Sequence, residues 1–183
     1  IKMPISKKSL TFLHSYAGHG PYLLNNMPDI FHERVDQKLI KKDAKAIFGK
    51  TFNNLTLVES YDSSIKYIDF ATTEIIKKLD SLSYPSIFIY FSDHGESVYT
   101  GRAHDSSRFI HEMVRIPFII YFNEKAKRSR PDLFNKYKQL ANDSEVATLA
   151  QLPSTIFDLL GVQLFDKKEA IELPIIGEKT FLP

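Results

Sequence analysis

An α/β fold, with a mainly parallel sheet flanked by helices, is what this sequence predicts, and three observations lead there. Short apolar runs rich in Ile, Phe and Tyr recur at 10–14, 86–92 and 116–122 without clean alternation, as strands covered on both faces require. Segments with helical spacing separate them. Apolar residues make up 43% of the chain and charged residues 25%, which is the balance of a folded globular protein rather than a disordered one.

Taken in order, the first run, Leu10 to His14, reads as a strand that empties into the turn Ser15-Tyr16-Ala17-Gly18-His19-Gly20-Pro21. The stretch 31–50 has helix-forming charged residues but only a loose apolar stripe, and reads as helix plus loop. From Tyr61 to Leu82 the spacing of Ile65, Ile68, Ile75, Ile76 and Leu79 predicts a helix, with Ser60 or Asp62 available to cap it. Ser86 to Ser92 and Ile116 to Phe122 are the second and third strands. A helix is predicted over Pro131 to Ala141, Pro131 being acceptable in a first turn. Another runs from Ser144 towards Leu160, bent or interrupted near Pro153 and stopped at Gly161. With no repeat, low-complexity tract or linker, residues 1–183 read as one domain or part of one.

A formal net charge of +2 carries no sign of a nucleic-acid partner, which a strongly basic face would announce. There is no cysteine, so any metal must be held by His, Asp or Glu. The apolar runs fall far short of a bilayer span. The sequence opens on Ile1 and enters apolar sequence almost at once, and it is expected to be a piece of a longer protein.

In layered α/β sheets, ligands sit beyond the carboxyl ends of the strands, which directs attention to three turns in the loops after the first two. Directly after the run 86–92 comes Asp93-His94-Gly95-Glu96-Ser97, a carboxylate and an imidazole side by side where Gly95 permits a sharp turn. The plain alternative is that Asp93 caps a turn while His94 packs. Further along the same loop, after Gly101 and Arg102, stands His104-Asp105; the first run ends at His14 and is followed by the glycine-flanked His19, so that Asp93, His94, His104 and His19, with His14 a further candidate, are expected towards one edge of the sheet. A nitrogen and oxygen ligand set without sulfur suits zinc, with manganese possible, and disfavours calcium. His32 and His111 lie outside these turns and read as structural.

Three blocks in this order, Leu13-His14-Ser15-Tyr16-Ala17-Gly18-His19-Gly20-Pro21, Ser60-Tyr61-Asp62-Ser63-Ser64-Ile65 and Phe91-Ser92-Asp93-His94-Gly95-Glu96-Ser97, resemble the phosphoethanolamine transferases that modify lipid A or core oligosaccharide. His104 matches that family's downstream histidine, and Arg115-Ile116-Pro117 resembles the start of its next strand. The likeness covers about Leu10 to Gly161. It implies an alkaline phosphatase/sulfatase-like fold of which this chain is the C-terminal part, the N-terminal part being absent.

The resemblance further implies that Asp93 and His94 bind a catalytic zinc. It implies that His19 and His104 position the phosphoethanolamine group, transfer a proton or bind a second zinc. A threonine nucleophile and an acidic zinc ligand would precede Ile1. The donor implied is phosphatidylethanolamine and the acceptor lipid A or core oligosaccharide. The whole protein would sit in the bacterial inner membrane through N-terminal helices, its catalytic domain in the periplasm. The chain departs from many members in lacking cysteines. A sulfatase-like hydrolase or phosphoglycerol transferase, or a non-catalytic metal-binding envelope domain, are the competing readings. The chain alone is expected to hydrolyse no phosphodiester.

Overall fold

A computed structural model describes residues 9–20, 22, 27–32, 36, 38, 42, 45, 55–100, 104–143 and 148–162. Pro21, Gly101, Arg102, Ser144 and most of the stretch 31–50 lie outside the described residues. Within that stretch, Asp29–Phe31 reaches in as a 3-10 turn, and Lys38, Lys42 and Lys45 are helical.

The described elements are helix α1 (Leu55–Asp80), strand β1 (Ile87–Phe91), the single turn α2 (His111–Val114), strand β2 (Phe118–Phe122), and helices α3 (Glu124–Ser129), α4 (Pro131–Asp143) and α5 (Leu152–Leu160). They fall into two compact units. Residues 1–74 with 96–113 form the first, and 75–95 with 114–183 the second.

In the second unit, β1 and β2 pair antiparallel, Ile87 opposite Phe122 and Ile89 opposite Ile120. The sequence suggested a parallel sheet. Parallel neighbours need a long crossover, usually a helix, and between these strands the described residues supply only the 3-10 turn Val98–Thr100 and the four residues of α2. The period of two puts Ile87, Ile89, Ile120 and Phe122 on one face, where they pack with Ala126, Tyr137 and Leu159.

Asn123 knits this unit together and is almost wholly buried. Its Oδ1 accepts from the backbone N–H of Ser86 and Ala126, the latter capping α3, while its Nδ2 donates to the carbonyls of Leu79 and Tyr84. All its hydrogen-bonding capacity is therefore spent on backbone that would otherwise be orphaned. Pro153 does not interrupt the last helix but stands in its first turn, where a missing N–H costs nothing. Gly161 closes α5 with φ +67, its N–H and that of Val162 reaching back to the last turn in a left-handed cap.

The first unit is built on the N-terminal part of α1. Val58 and Val98 are buried together against Leu57, Tyr61 and Tyr99, and Phe31 wedges between Tyr67 and Phe70 with ring centroids 5.1 and 5.0 Å away. The helix starts earlier than its predicted cap, which leaves Ser60 and Asp62 inside it. Its inner face carries the buried Ser63 and Ser64, whereas Ile65, expected on that face, is exposed.

The strand predicted over Leu10 to His14 is not formed: these residues are irregular, with Leu10 51% and Phe12 75% exposed. Apolar content alone does not make a strand, because a strand's backbone groups need a neighbour to bond, and here β1 and β2 bond each other.

Candidate functional site

The turn at 15–20 is shaped by its backbone. Ser15 Oγ accepts from Ala17 N–H, His19 N–H donates to the Tyr16 carbonyl, and Gly18 takes φ +89 against the side chain of Ile68. The outcome is an exposed His19 whose Nδ1 donates to the Gly20 carbonyl. Its ring lies 6.0 Å from that of His104, centroid to centroid, so the structure brings these two histidines together within the first unit. Tyr16 bridges outward to His14, which stacks on it at 5.0 Å rather than joining the pair.

His104 is held in turn by a carboxylate. Its Nδ1–H donates to Glu96 Oε1 at 2.8 Å, and the Glu96 side chain is only 6% exposed. The other oxygen, Oε2, is buried and accepts no hydrogen bond. Nearby, burial and then the charge of Glu96 push the Tyr22 hydroxyl well above its ordinary range, so it stays a donor.

In the second unit, Asp93 and His94 leave the carboxyl end of β1. Asp93 Oδ1 accepts from the His94 backbone N–H at 3.1 Å and stands 3.8 Å from His94 Nε2. His94 Nδ1 donates to the Gly95 carbonyl at 2.9 Å, and Ser92 Oγ donates to the His94 carbonyl at 2.6 Å, tying the ring to the turn.

One pattern unites the three imidazoles. Each Nδ1 faces an oxygen that can accept its proton, and in a neutral ring protonated there Nε2 is the nitrogen that ligates a metal or accepts a proton. Two ligand atoms on a tetrahedral zinc stand about 3.4 Å apart, given bonds of about 2.0–2.2 Å. The Asp93 Oδ1 and His94 Nε2 separation of 3.8 Å is close to that span. Glu96 and His104 also belong to a possible His/Glu metal site, Glu96 standing two residues beyond His94 in the chain. The donor chemistry and the orphaned carboxylate oxygen both fit a cation. The pairs Asp93–His94 and His19–His104 lie in different units, and their convergence stands as a proposal.

His32 pairs with Asp29 at 3.7 Å and His111 packs on Phe109, consistent with structural roles. Sequence reading gave Glu96 no function of its own. The available signal was a carboxylate in the Asp-His-Gly-Glu block, eight positions before His104.

Residues 1–162 match the family described as Sulfatase. The chain belongs to the sulfatase family. This sulfatase-family chain is 29% identical over 136 residues to phosphoethanolamine transferase EptA of Helicobacter pylori, covering 69% of the chain and 24% of that protein. It is 28% identical over 141 residues to phosphoethanolamine transferase EptC of Escherichia coli K12, covering 72% of the chain and 23% of that protein. It therefore spans about a quarter of the length of these relatives. The soluble domain of lipooligosaccharide phosphoethanolamine transferase A from Neisseria meningitidis superposes with a TM-score of 0.62 at 24% identity, over 81% of this chain and 44% of that one. The sulfatase/alkaline phosphatase-like fold predicted from the motifs is thereby established. Among the described residues no helix is long and apolar enough to cross a membrane.

Proposed function

We propose that the protein containing this chain is a metal-dependent phosphoethanolamine transferase of the bacterial envelope, and that 1–183 is the C-terminal part of one catalytic domain. The observation that supports this most is the Asp93-His94 pair at the carboxyl end of β1, in a sulfatase-family chain whose curated relatives are named phosphoethanolamine transferases. The donor is phosphatidylethanolamine. The acceptor is a hydroxyl or phosphate of lipid A or core oligosaccharide, in keeping with the lipooligosaccharide named for the Neisseria protein.

In the first step the phosphorus–oxygen bond to the diacylglycerol breaks as one to a threonine oxygen forms, the nucleophile preceding Ile1. In the second, the acceptor oxygen displaces threonine, so the group is carried covalently between two lipids. Asp93 and His94 hold the metal, zinc rather than manganese. Once bound, zinc lowers the pKa of the nucleophilic hydroxyl and offsets charge on the phosphoryl oxygens. His19 and His104 present Nε2 to the transferred group, one accepting a hydroxyl proton and the other, protonated, supplying it to the leaving oxygen. The working location is the periplasmic face of the inner membrane, with anchoring helices outside this chain.

Mass spectrometry of lipid A and core oligosaccharide from cells expressing the gene tests this. Added phosphoethanolamine that disappears in Asp93→Ala and His94→Ala, together with bound zinc, is the expected result. An unmodified envelope under wild-type expression would count against it. The family description itself favours a second reading, a sulfatase-like hydrolase, which release of sulfate from an aryl sulfate ester would reveal.

A further inference from the structure

A carboxylate that is 6% exposed needs partners, and Glu96 has committed only one of its two oxygens. Oε1 is occupied by His104 at 2.8 Å. The surroundings fix the carboxylate from behind: Ser97 and Val98, the next residues, are buried, and Val98 packs on Val58. Tyr22, itself buried with a backbone φ of +34, packs edge-on to Tyr61 at 5.3 Å. A tyrosine held in a left-handed conformation is strained, and such strain persists only where the surroundings over-determine it. Glu96 is thus a buried acceptor, whereas His104 is partly exposed and sits in a turn.

We propose that Glu96 is a positioning residue for His104, its Oε1 holding Nδ1–H so that the imidazole keeps one tautomer and aims Nε2 towards the transferred group. This rests on the proposed role of His104 in phosphoethanolamine transfer, but the tautomer can be read without turnover. The principle is that of a carboxylate behind a catalytic imidazole: it touches no substrate, and its loss leaves the ring present but wrongly protonated and free to turn. Placed eight residues before the histidine, on buried chain, the carboxylate holds the ring from outside its own turn.

The test uses the protein as the cell makes it, with 15N in the histidine rings, His104 being assigned by its loss in His104→Ala. The wild type should show the tautomer with the proton on Nδ1. Glu96→Ala should move the His104 ring nitrogens to a mixed tautomer and lower kcat about 10- to 100-fold with KM little changed. Glu96→Gln, which still offers a carbonyl oxygen, should restore the tautomer and most of the rate. In a His104→Ala background, Glu96→Ala should add no further loss. An unchanged His104 ring spectrum in Glu96→Ala, or a further loss in that background, would overturn the proposal. If the wild type transfers no phosphoethanolamine, the functional reading fails while the ring spectra still decide the positioning.

Discussion

At position 18, φ +89 and an Ile68 Cδ1 only 2.6 Å from where a Cβ would sit make glycine the residue that fits, and the adjacent His19 depends on that turn. Gly18→Ala should cost about 1–3 kcal/mol in urea unfolding and, by moving His19 away from His104, reduce the proposed transfer activity. Equal unfolding midpoints for the two proteins would contradict this. The types of the candidate residues, His19, Asp93, His94 and His104, were legible in the sequence because glycine-flanked histidines and a carboxylate–imidazole pair stand out by composition and order. The burial of Glu96 was not legible. It is a property of the folded chain that no local pattern reports. His14, close by in sequence, has its ring tilted against that of Tyr16 at 5.0 Å.

Dense apolar runs and glycine stops were read well, whereas the pairing partner that a strand needs was not. β1 appears within a residue of its predicted ends, and Gly161 stops α5 as its left-handed freedom foretold. The run at 10–14 failed because strand identity is a property of pairing. α3, only six residues long, was missed altogether; its cap is Asn123, whose value lies in four contacts at once. Asn123→Ala should therefore destabilise the protein by about 2–4 kcal/mol, leaving buried backbone donors and acceptors unpaired. Asn123→Asp should be no better, since it turns a donor into an acceptor facing two carbonyls. Thermal unfolding of both variants checks this. On β2, the Tyr121 hydroxyl donates to Asp80 Oδ1 at 2.6 Å, and this bond, ahead of burial, pushes its pKa up to about 12. A raised folded-state pKa gives stability that is whole below the unfolded value of about 10 and fades as pH rises through about 12. Stability measured between pH 9 and 12 should fall less steeply in Tyr121→Phe than in the wild type.

For the whole molecule, the family match over 1–162 and the shared fold place the chain in the sulfatase family, and the proposed metal would link its chemistry to its stability. Zinc at about 100 times its dissociation constant should stabilise the folded state by about 2.7 kcal/mol. A rise in melting temperature that vanishes in Asp93→Ala is the expected readout, and a zinc-independent melting temperature would argue against binding. The order of motifs along the chain carried this level of inference from sequence, whereas the division into two units was not visible there, since no linker marks it. Finally, the antiparallel join of β1 to β2, fastened again by Asn123, closes the base of everything from Ser92 to Pro117, the stretch that bears Asp93, His94, Glu96 and His104. Closure entropy grows only slowly with length, by about 0.6 kcal/mol for each doubling. Added length within that stretch should thus be inexpensive for the framework, which leaves evolution, or a protein engineer, room to lengthen it while the scaffold stays folded.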